Sequence, residues 1–164
     1  MSKAALPGRI LVIDDDRALC DLLHEDLRQC GHQVWTALKA AKAREVLEQH
    51  SIDIVLTDLN MPEINGIDFC AELHQRRPDL PVIIMTAFGS LETAIAALRA
   101  GAYDFVTKPV DLDLLSISLD RGLQHRHLQE TVRRLQDQVR RQQPDDDLLG
   151  KSPPMIKLKQ QIAR

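Results

Sequence analysis

Five short β-rich runs, each followed by a stretch of helical periodicity, constrain this chain more than any other feature. The runs occupy residues 9–13, 33–37, 52–56, 81–85 and 103–107. After the first, Leu19, Leu22, Leu23 and Leu27 recur at helical spacing, and Gly31 closes that segment where glycine is favoured. Residues 40–50 form the second helical segment, and Asn65-Gly66 is a turn signal ahead of the third. Residues 91–100 make the fourth, closed by Gly101, and the last begins at Asp111. Strands alternating with helices predict an α/β protein: a five-stranded, parallel, doubly wound sheet with helices on both faces. The core runs are apolar without polar alternation, which fits strands buried on both sides.

The last helix changes character partway. Leu112, Leu115, Leu119 and Leu123 are spaced to pack on the sheet. Leu128, Val132, Leu135 and Val139 then follow steps of four, three and four among Arg, Gln and Glu. That is a coiled-coil seam of about two heptads, with a single solvated helix as its alternative. Pro144-Asp145-Asp146-Asp147 ends it. The expected organisation is an N-terminal tail (1–8), a globular domain (9–125), a helical linker (126–143), and then a linker end and the first edge of a further domain (144–164).

Composition narrows the class. The 164 residues carry 21 Lys and Arg against 24 Asp and Glu, a formal charge of −3, which disfavours a general nucleic-acid glove. No apolar run approaches the roughly 18 residues of a membrane span, so no membrane partner is expected. The start lacks the charged-then-apolar order of a secretory signal. Three cysteines, Cys20, Cys30 and Cys70, are an odd count in a chain large enough to bury a core without staples, and a cytoplasmic setting follows as the expectation.

In an open parallel sheet, ligands gather outside the carboxyl ends of the strands. Here the first strand delivers Asp14 and Asp15, the third Asp58, the fourth Thr86 and the fifth Lys108 before Pro109. Three carboxylates converging there repel one another unless a cation sits among them. An all-oxygen set with room for water and a phosphate suits Mg2+ better than zinc. Lys108 adds a fixed positive charge, and Thr86 a hydroxyl able to donate to a phosphoryl oxygen. Each piece has a plain alternative. Asp16 can cap a helix, residues 58–62 can be a turn, and a lysine before proline can be a solvated loop residue. Their coincidence on four strand ends at one edge is hard to obtain from capping and turn chemistry alone.

These blocks carry a family resemblance. Val12-Ile13-Asp14-Asp15-Asp16, Thr57-Asp58-Leu59-Asn60-Met61-Pro62 with Gly66, Met85-Thr86-Ala87, and the run from Gly101 to Pro109 match in order and spacing. From about Arg9 to about His125 the chain resembles a two-component response-regulator receiver domain. The resemblance implies a flavodoxin-like strand order of 2-1-3-4-5. It implies that Asp58 is the phosphoacceptor, taking a phosphoryl group from a sensor histidine kinase or a small donor. Asp15 and Asp58 would bind Mg2+ directly, Asn60 through its backbone carbonyl and Asp14 through water. Lys108 and Thr86 would hold the phosphoryl oxygens, and Phe105 stands at the switch-aromatic position beside Thr86. The output face, and with the linker helix a homodimer contact, would be the fourth helix, fifth strand and fifth helix.

Residues 149–155, Leu-Gly-Lys-Ser-Pro-Pro-Met, are not a phosphate-binding loop: the position five before Gly150 is Asp145, and prolines follow. They resemble the opening of the AAA+ ATPase domain in sigma-54-dependent activators of the nitrogen-regulatory type. On that resemblance the chain is a regulatory fragment. DNA and sigma-54 RNA polymerase would be met only through absent C-terminal domains. A stand-alone receiver or phosphorelay module is one alternative. A haloacid-dehalogenase-like phosphatase is another, but its chemistry wants a second Asp two places after the nucleophile, where this chain has Asn60. Cys20 with His24, His125 with His127, and Trp35 are expected to be structural or solvated, and Arg133, Arg134, Arg140 and Arg141 to lie on a helix surface.

Overall fold

A computed structural model describes residues 6–142. The readings made on residues 1–5 and 143–164, including the ATPase-like segment, lie outside the described residues. Among the described residues ten elements alternate: β1 (Arg9–Ile13), α1 (Arg17–Gln29), β2 (Gln33–Ala37), α2 (Ala40–Gln49), β3 (Ile54–Asp58), α3 (Gly66–Arg76), β4 (Val82–Thr86), α4 (Leu91–Arg99), β5 (Asp104–Thr107) and α5 (Leu112–Gln142). All strand pairs are parallel and the order is β2-β1-β3-β4-β5, as the resemblance implied.

Successive residues of a strand face opposite sides of a sheet, and two cores follow from that alternation. Leu11, Ile13, Val55, Val82 and Ile84 pack with α2, α3 and α4 through Val46, Phe69, Leu73 and Ala97. Ile10, Val12, Ile54, Leu56, Ile83 and Met85 pack with α1 and α5 through Cys20, Leu23, Leu27, Leu115, Leu119 and Leu123. Gly31 and Gly101 close α1 and α4 at φ 95° and 97°, the left-handed conformation glycine adopts without a Cβ penalty.

The differences from the sequence reading are instructive. The third strand starts two residues later than expected, at Ile54, and carries Thr57 and Asp58 inside it. Asp53 is held just ahead of it: its backbone N–H donates to the Arg9 carbonyl at 2.8 Å, and its carboxylate takes the Arg9 backbone N–H at 2.9 Å and both arms of the guanidinium at 3.1 Å. Leu22 is 56% exposed, and Cys20 takes its place in the buried stripe of α1. Leu112 does not join the sheet-packing stripe either. It lies at the first position of α5 and is 39% exposed, whereas Leu115, Leu119 and Leu123, spaced at fours, are buried.

The chain divides into two units, residues 1–127 and 128–164. Of the second, residues 128–142 are described; they are helical, with Leu128, Val132, Leu135 and Val139 all more than half exposed. Among the described residues no helix is long and apolar enough to cross a membrane.

Candidate functional site

Register places the site. Ile13 lies beside Thr57, Asp58 beside Met85, and Thr86 beside Thr107, so the carboxyl ends of β1, β3, β4 and β5 finish at one edge. Just past β1, the Asp14 backbone N–H donates to the Ala37 carbonyl at 3.1 Å, and its Oδ1 accepts from the Asp16 N–H at 2.9 Å. Asp16 then caps α1 by accepting from the Leu19 N–H, its expected role. Asp14 is fully buried, Asp58 nearly so, and Asp15 is exposed. One carboxylate oxygen from each of the three lies within 4.8 Å of the others.

Lys108 closes this cluster. Its Nζ stands 2.7 Å from Asp14 Oδ2 and 3.0 Å from Asp58 Oδ1. Its backbone N–H donates to the Thr86 carbonyl at 2.6 Å, and the peptide bond to Pro109 is cis. Burial pushes the Asp14 carboxyl above the usual range, opposed by its bond to Lys108. Burial draws the Lys108 ammonium down, but its bonds to Asp14 and Asp58 outweigh that, and its pKa is raised. One fixed cation against three carboxylates leaves a local negative excess in a poorly solvated place, where unpaired charge is costly. The donors are hard oxygens, and exposed Asp15 keeps one side open to water. That set fits a divalent cation of the Mg2+ type, which retains waters and takes few carboxylates.

The remaining expected residues take definite positions. Thr86 ends β4 fully buried, but its hydroxyl is engaged with its own loop: Oγ1 accepts from the Phe88 N–H at 3.2 Å and donates to the Phe88 carbonyl at 3.3 Å. Phe105 is half-buried in β5 and packs on the core that β4 shares with α4. Asn60 is exposed two residues beyond Asp58 and forms an isolated antiparallel bridge with Asn65.

Three supporting residues were not assigned to the site from sequence. Gly66 lies against the backbone of Asp58: a Cβ there would collide with the Asp58 carbonyl oxygen and stand 2.9 Å from the Leu59 Cα. The sequence offers Asn65-Gly66 as a turn signal and Gly66 as part of a matched block, without the contact that requires a glycine there. Asn65 caps α3 by accepting from the Ile67 N–H at 2.7 Å, and the Gly66 N–H closes back on the Leu59 carbonyl at 2.7 Å. Cys20 donates its thiol to the Asp14 carbonyl at 3.3 Å; burial, with the charge of Asp14, pushes that thiol up to about 11. It is a structural thiol, as expected, yet it braces the residue that carries the site. No spacing rule in the sequence links residues 14 and 20 in that way.

Comparison with known proteins agrees with this geometry. The family model described as "Response regulator receiver domain" matches residues 10–120. The response regulator protein PilR of Pseudomonas aeruginosa is 40% identical over 157 residues, covering 95% of this chain and 33% of PilR. The transcriptional regulatory protein ZraR of Escherichia coli K12 is 38% identical over 156 residues, covering 94% of this chain and 34% of ZraR. The chain thus spans about a third of the length of these curated relatives. The solution structure of the beryllofluoride-activated NtrC4 receiver domain dimer superposes with a TM-score of 0.68 at 27% identity, covering 72% of this chain and 98% of that one. Five parallel strands in receiver order, an acidic cluster closed by Lys108 and a family match over the same residues lead to one conclusion: this chain belongs to the response regulator receiver family.

Proposed function

We propose that this chain is a phosphorylation-controlled switch in which Asp58 is the phosphoacceptor and a sensor histidine kinase the donor. The observation that carries it is the buried Asp58 carboxylate, one oxygen of which is 3.0 Å from Lys108 Nζ, in a cluster with Asp14 and Asp15. An Asp58 oxygen attacks the phosphorus of a phosphohistidine. The P–N bond breaks, its electron pair stays on the imidazole nitrogen, and an acyl phosphate is left on Asp58. Phosphoryl transfer needs positioning and charge neutralisation more than covalent help. Lys108, already between Asp14 and Asp58, holds one phosphoryl oxygen. Asp15 and Asp58, the Asn60 carbonyl, and Asp14 through water would hold Mg2+, which supplies further positive charge when bound.

The same residues read out the change. The Thr86 hydroxyl leaves the Phe88 backbone groups for the new acceptor oxygens, and the Phe105 ring takes the vacated space. A local charge change thereby biases a two-state packing arrangement. The face of α4, β5 and α5 receives it: Leu91, Leu98, Leu114 and Ile117 are 50–77% exposed there, an apolar surface suited to a second copy. The NtrC4 neighbour was solved as a dimer, which supports that reading. With the linker helix as a second contact, the homodimer would control a sigma-54-dependent AAA+ ATPase, and through it DNA and RNA polymerase, in the cytoplasm. The length of PilR and ZraR beyond this chain supports a regulator with further domains.

Acetyl phosphate with Mg2+ tests the reading. Wild type is expected to gain the mass of one phosphoryl group and Asp58→Ala none. Equal uptake by both would refute Asp58 as acceptor. Beryllofluoride is expected to shift resonances of Thr86, Phe105 and α4; perturbation confined to the immediate site would refute the switch.

A further inference from the structure

Consecutive residues of β5 join the two faces of the sheet. The Phe105 ring packs on the core shared with α2, α3 and α4, and Val106 on the core shared with α1 and α5. By alternation Asp104 lies on the face of Val106, as does its β4 partner Ile83. There its carboxylate joins two elements. Oδ1 accepts from the Phe105 backbone N–H at 2.8 Å, and Oδ2 accepts from the Ser118 hydroxyl of α5 at 2.5 Å. Among the described residues Asp104 forms no ion pair, so neutral donors hold it. A carboxylate is planar and rigid. A tilt that keeps one oxygen on Phe105 moves the other against Ser118.

The neighbouring contacts of this part of α5 are apolar. Leu115, Leu119 and Leu123 are buried against the sheet, and such contacts are non-directional, so they tolerate a small slide. A hydrogen bond does not, because it weakens steeply as its angle and distance depart from the optimum. We propose that Asp104 is a positioning residue that carries the state of Phe105 across the sheet to α5, with Ser118 as its contact there. This rests on the Thr86–Phe105 switch proposed above and assigns the route by which its movement reaches the face opposite the Phe105 ring. As the ring turns into the space left by Thr86, the Phe105 main chain adjusts, Asp104 follows, and Ser118 is drawn along or released. The pair takes no part in phosphoryl transfer. Asp104 begins β5, whereas Lys108 and the carboxylate cluster lie past its other end.

Methyl NMR of the full chain, with and without beryllofluoride and Mg2+, tests the route. The buried Ala97 methyl reports the α4 side. The methyls of Leu115, Leu119 and Leu123 face the sheet rather than solvent, so they report the seating of α5 and not a contact between copies. In wild type both sets are expected to shift. In Ser118→Ala the Ala97 and Phe105 shifts should persist while the α5 methyl shifts lose about half or more of their amplitude. Ser118→Thr, which keeps the hydroxyl, should restore them. Asp104→Ala should match Ser118→Ala, and the double variant should lose no more than Asp104→Ala alone, as expected of two residues acting through one contact. Phosphoryl uptake from acetyl phosphate should stay at the wild-type level in every variant. The buried leucines and the Tyr103 ring, 5.5 Å from that of His125, keep α5 seated in each, which urea midpoints verify. Wild-type α5 shifts in Ser118→Ala, or their equal loss in Ser118→Thr, would overturn the route and leave the switch standing. So would α5 methyls that stay still in wild type while Ala97 moves. If neither Ala97 nor Phe105 shifts in wild type, the switch itself fails, and the route with it.

Discussion

The two ends of the sheet treat charge in opposite ways. At the amino edge, charged and polar groups close on specific partners: Asp53 on Arg9, Asp79 on Arg126, and the Gly8 N–H on His32 Nδ1 at 3.1 Å. At the carboxyl edge, Asp14 and Asp58 share Lys108, with the Asp15 carboxylate clustered beside them. The first edge fastens strands to what precedes them and spends its polar groups on stability. The second holds an imbalance that a bound cation or a phosphoryl group can act upon. Strained or incompletely satisfied sites of this kind persist where function needs them and the rest of the fold supports them.

That contrast can be broken or sharpened. Lys108→Met should have the largest effect. It leaves Asp14 and Asp58 buried without their cation and should cost roughly 2–4 kcal/mol in metal-free urea denaturation. Adding Mg2+ should recover part of the loss, because a ligand that binds only the folded state stabilises it. At the opposite edge, Asp53→Ala removes the acceptor of three Arg9 donors and should cost about 1–2 kcal/mol while phosphoryl uptake from acetyl phosphate stays at the wild-type level. If uptake falls with it, the two edges are not independent.

Asp58→Asn should act in the reverse direction on stability. Deleting one of the like charges should raise metal-free stability by about 1 kcal/mol even as uptake is abolished, and a loss of stability would show that the cluster is not frustrated. The smallest effect belongs to pH at the amino edge. Burial holds the His32 imidazole below its ordinary value of 6.5, with Asp120 pulling the other way. The folded state therefore binds fewer protons than the unfolded one at this position. Its contribution is fully present above 6.5 and declines as pH falls from there through the folded pKa. Comparing urea midpoints at pH 7.5 and 5.5 should show a drop in wild type that is smaller in His32→Asn, where an amide oxygen can accept from Gly8 at either pH.

Much of this molecule was legible from residue order. Strand count, helix order, the closing glycines and the residues of the acidic edge follow from periodicity and turn chemistry, which are local. Boundaries were less legible. Thr57 and Asp58 proved to be strand residues because they pair with Ile13 of β1 and with Ile84 and Met85 of β4, partners 27 to 44 positions away. Leu22 and Leu112 look like core residues by type and spacing, but which side of a helix a neighbour covers depends on where the helix lies on the sheet. Cys20 under Asp14 was likewise invisible as a support of the site, and Gly66, though part of a matched block, gave no sign of how closely it lies on the Asp58 backbone.

The sequence alone determined that three carboxylates, a hydroxyl and a lysine would stand at the ends of four different strands, because an apolar run that stops at a polar residue fixes that residue's place along the strand. Only the tertiary structure decided that Lys108 would lie between Asp14 and Asp58 with Thr86 turned away toward Phe88. The register between parallel strands brings together residues as many as 94 positions apart, and it is set by packing on both faces of the sheet rather than by any local spacing.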